Sequence, residues 1–141
     1  MIVTSAISAA LLTFPDRYQK RWLAFSPSLT FGLFIVVMGL AWLSDTTSAP
    51  MTANGWQCAM EITVIALIPT VWLFYSMKNH ASTHPYLTGS TALLFAFATG
   101  AISLRMGEET NSIIHIMQWH YPLLMIAVLF GGYLGKRWLR W

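Results

Sequence analysis

Charge is scarce in this sequence. Only 9% of its 141 residues are Asp, Glu, Lys or Arg, against about 25% in soluble domains. With 56% hydrophobic residues and a mean hydropathy of +0.57, this excludes an ordinary soluble domain and indicates an integral membrane protein. A single cysteine, Cys58, excludes an intrachain disulfide and any CxxC motif. An intermolecular disulfide, a reactive thiol and an inert packed thiol all stay open. There is no phosphate-binding loop and no nucleophile elbow. No charged n-region precedes the mildly apolar residues 2–14, which argues against a signal peptide. A span needs roughly 20 apolar residues, so residues 1–22 are expected to form a cytosolic or interfacial segment. The alternative is a relic of an earlier transmembrane helix.

What is present is four apolar runs. Leu23 to Ser44 carries no charge and has Trp22 and Trp42 near its ends, where interfacial anchors belong. A second helix is expected over 56–77, with Glu61 its only charge and Pro69 predicting a kink in its middle. Cys58, Glu61, Ile65, Pro69 and Trp72 fall on one stripe at helical spacing. A third helix is expected over 86–104. Its stripe of small residues, Gly89, Ala92, Ala96 and Gly100, lets helix backbones approach closely, so this helix is expected to be the most buried. The fourth run, 113–135, contains His115, His120 and Pro122 and closes on the pair Gly131 and Gly135. Either its helix begins near Ser112 and kinks at Pro122, or an interfacial turn precedes a short tilted helix. The fold class expected is therefore all-α, a four-helix transmembrane bundle over 23–141.

Counting Lys and Arg orients the bundle. Arg17, Lys20, Arg21, Lys78, Lys136, Arg137 and Arg140 fall on one side and Arg105 alone on the other. Both termini are expected in the cytoplasm of a bacterial inner-membrane protein. The net charge of +3 and the pI near 9.3 are then accounted for by topology and lipid headgroups rather than by nucleic acid.

This orientation gathers Cys58, Glu61, Met106, His115, Trp119 and His120 at the outer surface. Glu61, a carboxyl inside a span, must pair, reach water or stay protonated. Trp119 N–H, His120 or the outer loop are the expected partners. His115 and His120 are five apart and do not share a tight α-helical face as an i, i+4 pair would. A metal site would therefore need ligands from another helix, and Cys58, Met106, His115 and His120 are the candidates. His80 and His84 lie in a solvated turn, and the eight methionines read as packing. No resident cofactor is expected, and a transient metal is the open alternative.

Several features now combine. Gly55-Trp-x-Cys58 opens a helix with Pro69 in its middle. A short basic turn with Pro85 leads into the small-residue helix with Gly89 and Gly100. An acidic loop, a Trp119 stretch and a Gly-rich helix end on Gly135-Lys-Arg-Trp-Leu-Arg-Trp141. This pattern resembles the C-terminal two-thirds of the NrsF-type bacterial membrane anti-sigma factors, over roughly residues 15–141. The resemblance implies a polytopic protein, typically of six helices, that holds an extracytoplasmic-function sigma factor inactive until a stress signal, often metal or oxidant, releases it. It matches Cys58 to an outer cysteine of the family. The family's usual second outer cysteine has no counterpart in Leu104-Arg-Met-Gly-Glu-Glu109, which leaves Met106, His115 or His120 to supply a second group. It also implies that the chain lacks the family's first helices and its usual sigma-binding part.

The reading reached is a membrane regulator, not an enzyme, that senses envelope, metal or oxidative stress through an outer Cys/Glu/His cluster. Its expected partners are the lipid bilayer and a sigma factor. A small accessory subunit of a larger membrane complex, bound to other membrane subunits, is the rival reading. A cofactor-binding redox protein is a third.

Overall fold

The computed structural model describes residues 21–44, 55–79, 84–107 and 115–139, together with Val3, Ile7 and Ser82. The expectations for residues 1–20, for both loops flanking the candidate site, for His80 and for Arg140 lie outside the described residues. Among those described, the chain is all-α, without strands. The helices are α1 (Arg21–Ser44), α2 (Gly55–Met77), α3 (Pro85–Arg105) and α4 (Tyr121–Trp138). A five-residue π-turn, Ile116–His120, leads directly into α4. The starts of the first three helices fall within two residues of expectation. The last helix runs beyond Gly135 to Trp138, because Trp138 packs edge-on against Phe74 at 6.3 Å and Leu139 is buried behind it. Two helices, α2 and α3, are long and apolar enough to cross a membrane.

The central helix is α3, packed most extensively on α4 and then on α2. Its core positions are small: Ala92 and Ala96 are fully buried, and Gly89 and Gly100 are buried beside them. The N-terminal half of α3 meets α4 backbone to backbone. A Cβ on Gly89 would strike the Gly131 carbonyl and lie 2.7 Å from the Gly135 Cα. One on Gly131 would lie 2.8 Å from the Leu93 Cβ. Near the other end, a Cβ on Gly100 would lie 2.9 Å from the Ile62 carbonyl oxygen of α2. The expected small-residue stripe is thus a seam, but it serves two different neighbours along its length.

The hydroxyls in these apolar helices find acceptors locally. Thr63 Oγ1 donates to the Ala59 carbonyl at 2.7 Å and Thr99 Oγ1 to the Phe95 carbonyl at 2.8 Å, an i−4 arrangement that satisfies each hydroxyl without solvent. Ser90 instead donates across to the Val128 carbonyl of α4 at 3.0 Å, tying the two helices beside the glycine seam. Helix α1 is held more lightly. Phe31 and Phe34 stack on Tyr121 with ring centroids 5.8 and 5.6 Å away, while Leu29, Leu33, Val36, Leu40 and Leu43 stay exposed. Helix α2 is continuous across Pro69.

Replacing Gly131 by Leu is expected to cost more than about 3 kcal/mol, the usual upper range for overpacking, because its neighbours are backbone atoms that cannot rotate aside. Ser90→Ala should cost about 0.6 kcal/mol, as interhelical hydrogen bonds in membrane bundles do. Gly39→Leu on α1, with no atom within 4 Å of its would-be Cβ, should be neutral. Chemical unfolding in mixed micelles ranks the three, and equal losses for Gly131 and Gly39 would deny the seam its role.

Candidate functional site

The first turns of α2 and the π-turn meet at the Gly55 end of the bundle. Gly55 is buried there because the Trp119 indole occupies the space its side chain would take, with Nε1, Cδ1 and Cε2 all in contact. No other residue type allows this approach. It brings Cys58, one turn further along α2, level with the π-turn.

The π-turn changes the geometry of the histidines. In an α-helix residues five apart are separated by about 500°, or 140° around the axis, which is why His115 and His120 face different ways when only their spacing is considered. In the structure Tyr121 N–H donates to the Ile116 carbonyl five residues back. This wider turn carries the two imidazoles onto one side, with ring centroids 5.5 Å apart and planes at 74°. Pro122 makes the wide turn easy to form: having no N–H, it cannot continue α-helical hydrogen bonding to the Gln118 carbonyl. Among the described residues the chain runs helically from His115 through one π-turn into α4.

The result is a cluster of Cys58, His115 and His120. One ligand atom from each lies within 4.8 Å of the others. The histidines are 8% and 4% exposed, and Cys58 is half-buried. The set offers one thiolate and two imidazole nitrogens, which is the chemistry of a soft or borderline metal ion.

Two expected members do not join. Glu61 is exposed. At about 100° per residue, Glu61 and Ile62 lie on opposite sides of the line through Cys58, and the bundle takes the Ile62 side. The buried face of α2 is Gly55, Ile62, Ala66, Phe74 and Met77, not the stripe through Ile65 and Trp72, both of which are exposed. The expected bond from Trp119 to Glu61 is absent as well: Trp119 Nε1 is buried with no hydrogen-bond partner among the described residues. Met106 stands 86% exposed in the turn after α3. His84 is exposed, as a turn residue should be, and its carbonyl accepts from Thr88 N–H at 2.9 Å.

Because Cys58 is the only thiol, its reactivity reports on this site alone. Gly55→Leu should displace Trp119 and raise the alkylation rate of Cys58 by a maleimide roughly tenfold, about 1.4 kcal/mol of lost protection. An unchanged rate would mean that Trp119 does not shield the thiol.

The family model for NrsF, described as negative regulator of sigma F, matches residues 1–141. The match takes in residues 1–14, which lie outside the resemblance read from the motifs. No curated protein matches the chain, and no solved structure does. An all-α chain whose sequence agrees with that family along its whole length belongs to the NrsF family of negative regulators of a sigma factor.

Proposed function

We propose that this chain is a multi-pass inner-membrane protein that holds a sigma factor inactive and receives its signal at Cys58, His115 and His120. The observation that carries this reading is the convergence of the chain's only thiol and two buried histidines at one end of a bundle in a family of negative regulators.

The outward faces of α1 and α2 support a bilayer setting. Leu43 is 84% exposed and Ile68 79%, while the buried face of α3 is mostly Ala, Gly, Ser and Thr, with Leu93 and Leu94. This distribution suits a medium as apolar as leucine, in which small residues pack the helices together. Four spans follow if the π-turn and α4 count as one crossing of residues 116–138 and α1 as another. Arg105 then stands on the far side from the other seven basic residues, leaving both termini cytoplasmic. The signal site falls on the outer side, and the basic turn at Lys78 and the segment after Gly135 fall on the side where a sigma factor resides.

Transmission follows from continuity. His115 precedes and His120 ends the π-turn that leads straight into α4. A change in how they are held moves the start of α4, and the close backbone seam at Gly131 and Gly135 carries that displacement along α3 toward the cytoplasmic end. No catalytic step is required.

Deleting the chain should raise transcription from its sigma factor's promoters. Cys58→Ser and His120→Gln should retain basal repression and lose the response to soft metal or oxidant. Full induction in both variants would remove the site from signalling. If the tagged protein co-purified in mild detergent only with subunits of one large complex, the accessory-subunit reading would replace regulation.

A further inference from the structure

We infer that Cys58, His115 and His120 bind one soft monovalent metal ion, of the Cu(I) or Ag(I) class, and that the π-turn is the element that creates the site. The inference rests on the reading of this cluster as the signal receiver only for what binding does in the cell, not for binding itself.

The donor set comes first. A thiolate with two imidazoles suits copper or zinc, and thiolate favours the softer ion. Around a trigonal centre with bonds of about 2.0–2.3 Å, the ligand atoms would sit about 3.5–3.7 Å apart. The observed separations, all within 4.8 Å, need only side-chain rotation to close to that range, because Cys58 and the histidines already lie on facing elements.

Charge then selects the ion. On binding, the Cys58 S–H releases its proton to water and its sulfur donates a lone pair to the metal. Each histidine donates a lone pair from one ring nitrogen and keeps its proton on the other. No oxidation state changes. A monovalent ion with one thiolate leaves the site neutral, whereas a divalent ion leaves a net charge of +1. An uncompensated charge among buried residues is costly. The nearest acidic candidate along the helix, Glu61, is exposed on another face of α2 and does not enter the cluster. Of the methionines described at this end, Met60 and Met106 are exposed and Met117 is half-buried within the π-turn.

Register completes the argument. The two histidines ligate together only while residues 116–120 keep the π-turn, since an α-helical path would swing them about 140° apart. Metal binding and the π-turn therefore stabilise each other. π-turns inserted in α-helices occur frequently at functional sites.

The test uses the purified full chain in mild detergent under anaerobic conditions, titrated with Cu(I) against a chromophoric chelator and, separately, with redox-inert Ag(I). One equivalent of either ion should bind, X-ray absorption should show mixed sulfur and nitrogen ligation, and Zn(II) should not displace it. Cys58→Ser and His120→Gln should each weaken binding by at least about 100-fold, beyond the usual effect of losing an outer-shell group. Glu61→Gln and Met106→Leu should bind like the parent. Pro122→Ala, which restores the missing N–H and favours the α-helical path, should weaken binding about tenfold with all three ligands intact. Should a ligand variant fail to fold, the parent chain still decides: one equivalent of Ag(I) should protect Cys58 from alkylation. Sulfur-only ligation, preference for Zn(II), or an unaltered affinity in Cys58→Ser would overturn the site, and an unaltered affinity in Pro122→Ala would overturn the role of the π-turn. These readouts contain no sigma factor, so failure here leaves negative regulation standing, and failure of the transcription experiment leaves metal binding standing.

Discussion

Close approach of backbones is the constraint on which the rest of this molecule depends. In the bilayer setting proposed above, leucine on a helix surface gains little by leaving lipid for another helix, so association relies on contact area and on hydrogen bonds across the interface. Gly89, Gly131 and Gly135 allow α3 and α4 to touch through main-chain atoms, and Ser90 adds a hydrogen bond to the Val128 carbonyl. Once that seam fixes the line of α4, the position of the π-turn at its head is determined. Gly100 against Ile62, and Gly55 beneath Trp119, place α2 against the same head. Three close approaches, each requiring the absence of a side chain, therefore locate Cys58 relative to the two histidines.

The site itself combines a rigid frame with one element of adjustable winding. Most hydrogen bonds of an apolar helix are locked by the lack of any alternative partner. Pro122 relaxes that rule locally, because the carbonyls behind it have one fewer donor to satisfy them. A wide turn can be accommodated there at little cost. Polar groups gather around it: His115 and His120 are buried, and the Trp119 indole N–H and the Tyr121 hydroxyl are buried with no hydrogen-bond partner among the described residues. Buried polar groups left in this condition cost free energy, and functional sites are where such a cost is commonly retained.

Membership of the NrsF family sets this chemistry in context. The resemblance to the family implies a second outer cysteine, which this chain does not have. In its place the fold brings two imidazoles to the single thiol. A thiol pair can respond to oxidants by closing a disulfide. A thiol with two imidazoles has no such route within one chain, and its donor set is the one proposed above for a soft metal ion.

Much was legible without coordinates. Scarce charge and four apolar runs specified helices, because an apolar helix satisfies its own backbone away from water. Small residues at spacings of three and four marked the interior face of α3, since only small side chains admit a neighbouring backbone. Cys58, Met106, His115 and His120 stood out as soft and borderline donors near one end of the apolar runs. Their geometry was not legible. Residue spacing assumes a constant 100° per residue, and one inserted π-turn brings together two histidines that such spacing sets apart. Glu61 was expected in the cluster, yet Glu61 and Ile62 flank Cys58 on opposite sides, and residue spacing alone does not choose between them. Tertiary packing settled both matters: the glycine contacts turn the Ile62 face of α2 inward and leave Glu61 outside. Helices, small-residue seams and the scarcity of thiols are local properties of composition and period, and they could be read from the residues alone. Which polar side chains meet depends on helix rotation and on one local change of winding that residue spacing does not record, so it emerges only from packing.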